Sequence, residues 1–122
     1  TEQDILDLQA TVRRMPVAEH VYQYAERIVR VTRVKTPEAN DYCKKFLSWG
    51  AGPRASLNLI LAAKARAMLR GQFHVSCDDV AAVAPAILRH RIIPNFAAQS
   101  ESVTADAITQ RILESVPKDA KL

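Results

Sequence analysis

Arg54 is the side chain in this sequence whose position most invites chemistry. It follows Trp49-Gly50-Ala51-Gly52-Pro53 and opens a long helical pattern that ends near Arg70. Pro53 suits a first helical position, and Gly71 suits the stop after the last turn. Arg54 then sits second in the helix, where the backbone amides and the helix dipole are already positive. A cation there costs on the order of 0.3–1 kcal/mol. A bound anion offsets that cost, because helix-start amides beside a guanidinium suit a phosphate group. The plainer alternative is a solvated surface arginine, and periodicity alone favours it.

Three other groups invite the same question. Arg27, Arg30 and Arg33 recur every third residue and lead to Lys35, with Arg13 and Arg14 as further members of a basic stripe. Such a stripe suits nucleic acid or an acidic neighbour. A solvated face is the simpler account, since no aromatics interleave and no recognition helix is evident. Arg89-His90-Arg91 closes a helical segment where the dipole favours cations, and His90 has no nucleophile to serve as a base for. Asp78 and Asp79 form an adjacent acidic pair, but Ser76 with Asp79 reads more simply as a capping box than as catalysis. Trp49 reads as a packing residue beside the glycine turn.

The absences weigh as much. There is no Gly-x-x-x-x-Gly-Lys-[Ser/Thr] loop, no Gly-x-Ser-x-Gly, no His-Glu-x-x-His and no Gly-x-Gly-x-x-Gly. Cys43 and Cys77 form no Cys-x-x-Cys, and His20, His74 and His90 fall at no ligand spacing, so neither a disulfide framework nor a metal site is expected. Catalysis by this stretch alone is not expected. With 122 residues, 48% apolar, 25% charged and a net charge of +4, the sequence reads as one globular domain over residues 1–122. No apolar run approaches a membrane span, and Thr1-Glu2-Gln3-Asp4 does not look like a secretory leader; a cytoplasmic location is the default expectation.

The elements that must position these groups are helices. The spacing predicts a helix over 2–14 with Ile5, Leu8 and Val12 on one face, and a second over 17–33 with Val17, Val21, Tyr24, Ile28 and Val31 as an apolar stripe. A break at Lys35-Thr36-Pro37 precedes a shorter helix over 38–47, with Tyr42 and Phe46 inward. The Arg54 helix is apolar on most sides, with Leu57, Ile60, Leu61, Ala65, Met68 and Leu69, and is expected at the centre of a bundle. On that placement, Leu61→Ala is expected to cost roughly 2–5 kcal/mol. Residues 73–75 form an extended link. The helix after Ser76 carries Val80, Val83, Ile87 and Leu88, and Pro85 is expected to split it. Residues 92–96 read as extended, with Pro94 restricting them to an edge. Residues 97–103 read as a polar loop, Thr104 as the cap of a helix over 105–115 with Ile108 and Ile112 inward, and residues from Pro117 as a charged tail. The fold class is all-α: a small helical bundle of five to seven helices with short extended links.

Trp-Gly-Ala-Gly-Pro-Arg-Ala-Ser at 49–56 resembles the sensor 2 segment of MoxR-type AAA+ ATPases. The likeness continues in order through Arg13-Arg14-Met15-Pro16-Val17, Val29-Arg30-Val31-Thr32-Arg33, Ala65-Arg66-Ala67-Met68-Leu69-Arg70-Gly71, the segment from His74 to Val80, and Val83 to Ile92, over about residues 3–117. The resemblance implies the C-terminal helical lid that follows an α/β nucleotide-binding core. It implies that Arg54 reaches the γ-phosphate of ATP and that Pro53 and Ala55 lie beside it. In the parent, ATP with Mg would rest mostly on the core, whose Walker motifs are absent here. The expected parent is a ring, commonly a hexamer, acting as a chaperone-like machine that matures protein complexes, often with a von Willebrand factor A domain partner. The resemblance leaves the client and ring size open. It also leaves two readings outside the family: a free-standing basic helical module binding nucleic acid, or one binding an acidic protein partner.

Overall fold

The computed structural model describes residues 1–37 and 39–118. Glu38, where the third helix was expected to begin, and 119–122 of the expected charged tail lie outside the described residues. Among the described residues the chain forms α1 (Glu2–Arg14), α2 (Glu19–Arg30), α3 (Asp41–Phe46), β1 (Leu47–Trp49), α4 (Arg54–Leu69), α5 (Cys77–Leu88), β2 (Ile93–Pro94), α6 (Phe96–Ser100) and α7 (Ala105–Ser115). The small all-α bundle expected from periodicity is the fold observed.

Local chemistry explains most boundaries. Thr1, Asn40, Ser76, Asn95 and Thr104 each accept a backbone N–H from three residues on, and so cap α1, α3, α5, α6 and α7. α4 ends at Gly71, whose φ of +74° is the left-handed stop a glycine adopts without strain. α4 packs most heavily on α5 and also meets α2 and α1, so it is central to the bundle. The core joins Val21, Tyr24 and Ile28 of α2 to Leu59 of α4, Leu88 of α5, and Ile108 and Ile112 of α7. Ala63, Ala67 and Ala84 are fully buried with them, and their small side chains let the α4 and α5 backbones come close.

Several sequence expectations are corrected. α2 is shorter at both ends than 17–33. Pro85 does not split α5, which runs through it; Arg89 N–H still donates to the Pro85 carbonyl at 3.0 Å. The proline forfeits one helical hydrogen bond, but Ala84 and Leu88 on either side of it are anchored in the core, and that packing overrides the local preference. Residues 97–103 are not simply a polar loop, because Asn95 caps the short helix α6. Leu47 leaves the third helix to form β1, which pairs antiparallel with β2, Trp49 opposite Ile93. The extended reading of 92–96 therefore holds at Ile93–Pro94. Asn95 secures the ribbon: its N–H donates to the Phe46 carbonyl at 2.9 Å and its side-chain amide to the Lys45 carbonyl at 2.8 Å. Trp49 is not a packing residue; it is 57% exposed, with the Lys35 ammonium 4.6 Å from its ring centroid.

Ile5, Leu8 and Val12 share one face of α1 as expected, but that face is not covered. No residue of α1 is buried. Ile5, Leu8 and Val12 instead line an open groove of about 510 Å³ with Leu61, Ala62, Ala65 and Ile87. Leu61 is 43% exposed, so it belongs to the groove wall and not to the core. The centre of α4 is Leu59, Ala63 and Ala67, one step round the helix.

Candidate functional site

The start of α4 is built by a turn clamped from one side. Ala51 and Ala55 are buried, while Gly52, Pro53 and Arg54 between them are exposed. The Ala55 N–H donates to the Gly52 carbonyl at 3.0 Å, closing the first turn. Pro53 stands at the helix cap with φ −59° and ψ −28°, already helical, and Arg54 is the first full helical residue rather than the second. Behind the turn lies Thr32. Its buried hydroxyl accepts the Ala51 N–H at 2.9 Å and donates to the Val29 carbonyl at 2.6 Å. A Cβ on Gly50 would lie 1.9 Å from the Thr32 carbonyl oxygen, so only glycine lets the two backbones meet there.

The electrostatics at this helix start are one-sided. No side chain caps α4 and no acid lies in its first turn. None of the ion pairs among the described residues involves Arg54, which is exposed. A partly positive helix end and a guanidinium, with no acidic partner among the described residues, together offer a place for an external anion. Beside it, Arg33, Lys35 and Trp49 line a shallow cleft of about 250 Å³ whose floor is Gly50, Ala51 and Gly52.

The family comparison decides what this turn belongs to. The family profile for the AAA lid domain matches residues 39–112, a span that contains the turn, α4, α5 and both strands. This chain is an AAA lid domain. It is 33% identical over 113 residues to Chaperone MoxR1 of Mycobacterium tuberculosis (strain ATCC 25618 / H37Rv), covering 93% of this chain and 30% of that protein. It is 30% identical over 115 residues to the "uncharacterized protein YeaC" of Bacillus subtilis (strain 168), covering 94% of this chain and 33% of that one. A crystal structure of a "putative ATPase" from Cytophaga hutchinsonii superposes with a TM-score of 0.84 at 29% identity, over 94% of this chain and 35% of its own. The domain thus shares its likeness with a MoxR chaperone, and it spans about a third of the length of the proteins it matches.

Within the lid, the other candidate groups separate. The basic stripe is not one surface. Arg33 and Lys35 line the cleft beside Trp49, whereas Arg27 and Arg30 line another hollow with Asn40, Ser115, Val116 and Pro117. Arg30 pairs with Glu26 at 3.0 Å, and Arg27 donates to the Pro117 carbonyl at 3.0 Å. Arg13 and Arg14 stand at the end of α1, where the Arg13 carbonyl accepts from Lys64. Arg89 pairs with Asp106 at 2.9 Å, and Arg91 donates to the Ile87 carbonyl at 2.9 Å, so both serve the ends of α5 and α7.

Asp79 is structural. Its carboxylate accepts from the Ser76 N–H at 3.0 Å, completing the capping box, and binds Arg66 of α4 at 2.5 Å. Burial pushes its pKa up. The Ser76 backbone N–H, the Arg66 guanidinium and the Ser76 hydroxyl outweigh that and hold the carboxyl below its ordinary value. Asp78 pairs with Lys118. Cys43 and Cys77 are buried thiols, and burial pushes Cys43 up to about 11, far from a reactive thiolate. Among the described residues no three His, Cys, Asp or Glu side chains gather as a metal site, and no helix is long and apolar enough to cross a membrane.

Of the residues expected to form one site, Pro53 and Arg54 are exposed at the start of α4 and Ala55 is buried behind them. Sequence reasoning missed Thr32, which lies 19 residues from the amide it holds and carries no local signal of that contact.

Proposed function

We propose that this domain is the C-terminal lid of a MoxR-type AAA+ ATPase and that Arg54 is its sensor 2 arginine. The observation that carries the reading is a surface arginine with no acidic partner among the described residues, at an uncapped helix start, on a turn fixed from behind by Thr32. ATP with Mg rests mainly on the core of the parent chain, which supplies the phosphate and metal chemistry. This lid contributes Arg54, with Pro53 and Ala55 shaping the helix start beside it. An exposed guanidinium at a positive helix end fits a γ-phosphate, where negative charge concentrates during transfer. Arg54 holds the lid towards the phosphate while it is present. Once the phosphate is gone, that contact is lost and the lid is released to rotate as a rigid body about its connection to the core near residues 1–4. Neighbouring subunits of a ring, commonly a hexamer, couple this rotation to chaperone-like maturation of a protein complex, with a von Willebrand factor A domain protein as a candidate partner.

The test is ATP turnover by the full parent chain carrying Arg54→Ala. The expected result is a loss of about tenfold or more, equivalent to about 1.4 kcal/mol of transition-state stabilisation. Unchanged turnover removes Arg54 from the reaction.

A further inference from the structure

We infer that Thr32 is the positioning residue for Arg54: by clasping the Gly50-Ala51 turn it sets where α4 begins and where the guanidinium is presented. The inference rests on the sensor 2 reading of Arg54 and adds a residue to it.

The contact is made of three parts that leave little slack. Thr32 is fully buried just past the end of α2, and its N–H is held by the Val29 carbonyl at 3.1 Å. Its hydroxyl is used twice, donating to Val29 and accepting from Ala51, so its rotation is fixed from both sides. Its carbonyl lies where a Cβ on Gly50 would be, which brings the backbone of the turn against the end of α2. Ala51 is itself buried, so the clasp is shielded from competing water.

Only two residues separate Ala51 from Arg54. Pro53 has its φ fixed by its ring. Gly52 is therefore the soft joint, and the hydrogen bond from the Ala55 N–H to its carbonyl restrains that too. A displacement at Thr32 must pass into the first turn of α4 because nothing in between can absorb much of it. The direction of Arg54 is then set by the end of α2. Positioning of this kind matters to a reacting phosphate, since a misplacement of about 1 Å can cost on the order of 100-fold in rate.

The substitution that isolates the hydroxyl is Thr32→Val, which keeps the shape and removes both hydrogen bonds; Thr32→Ser restores the hydroxyl. In the full parent ATPase, Thr32→Val is expected to lower kcat by about tenfold with KM for ATP within about twofold, and Thr32→Ser to stay within about twofold of the unmodified enzyme. On an Arg54→Ala background, Thr32→Val is expected to add no further loss, because the two residues act as one unit. Turnover unchanged by Thr32→Val overturns the inference. So does an equal further loss in the absence of Arg54, which would mean that the hydroxyl acts by some other route. If Arg54→Ala alone leaves turnover intact, the sensor 2 reading fails first, and the inference falls with it for that separate reason.

Hydrogen exchange over residues 47–55 of the unmodified parent tests the clasp without depending on any variant folding. The Ala51 amide is expected to exchange far more slowly than that of exposed Gly52. Equal, fast exchange at both would show that the turn is not held, and would overturn the inference.

Discussion

α4 and α5 are neighbours of similar length, yet their N-termini are built in opposite ways. α5 begins with a capping box, two acids in its first turn and a buried carboxylate that also binds Arg66. α4 begins with a proline, an arginine, no side-chain cap and no acid. Both ends carry the same dipole and the same orphan amides. One is neutralised by its own chain, while the other is left positive and made more so. An end satisfied from within is part of the fold. An end left unsatisfied at the surface, on a turn held firmly by Thr32, is where an external anion has something to gain.

Of the two helix starts, the larger expected effect belongs to the satisfied one. Asp79→Ala removes the return half of the capping box and leaves Arg66 beside an emptied, largely buried site. The cost is expected to be about 2–4 kcal/mol, read from urea melts of the domain. The pH dependence follows from the sign of the shift. The Asp79 carboxyl titrates below its ordinary value of 3.8 when folded, so the unfolded chain takes up the proton first as pH falls. Its contribution is fully present above that ordinary value and is lost as pH drops through the folded value. The stability gap between the unmodified domain and Asp79→Ala should therefore be constant near neutrality and shrink under strong acid. A gap that persists unchanged at the lowest pH would mean that the charge of Asp79 contributes nothing.

The capping box was legible in the sequence because it is local: Ser76 and Asp79 lie three residues apart. The same holds for Thr104, Gly71 and the long α4. Features that failed to show were those decided across the fold. β1 pairs with a strand more than forty residues away, and nothing within Leu47–Trp49 announces it. Pro85 carries a strong local signal, and that signal misled because the penalty of one lost hydrogen bond is smaller than the packing of α5 against α4. The periodicity of α1 was real, but it pointed Ile5 and Leu8 at a groove, since a hydrophobic stripe specifies a face and not how fully that face is covered. At the candidate site, type and spacing identified Arg54, whereas Thr32 needed coordinates.

A smaller effect is expected further along α4. Leu61 lines the groove beside α1 and is partly exposed, so Leu61→Ala should cost about 1 kcal/mol, below the 2–5 kcal/mol of a core leucine such as Leu59. Paired urea melts of Leu59→Ala and Leu61→Ala compare the two directly. Equal losses would show that the groove is closed by packing in solution and that α1 is more firmly seated than its exposure suggests.

The smallest effect in free energy bears most directly on the contrast between the two helix starts. Arg54→Glu gives α4 the acidic first turn that α5 already has. If the positive end is left uncompensated for a ligand's sake, this exchange should stabilise the isolated domain by about 0.3–1 kcal/mol at low salt, with the gain fading as salt screens it. The same substitution in the parent should reduce ATP turnover at least as much as Arg54→Ala, because it places a negative charge against the phosphate. A gain in stability together with a loss of turnover is the signature of a residue kept for its partner at a cost to the fold. If Arg54→Glu instead destabilises the domain, then Arg54 already has a compensating role within its own chain, and the two ends of α4 and α5 differ in style but not in purpose.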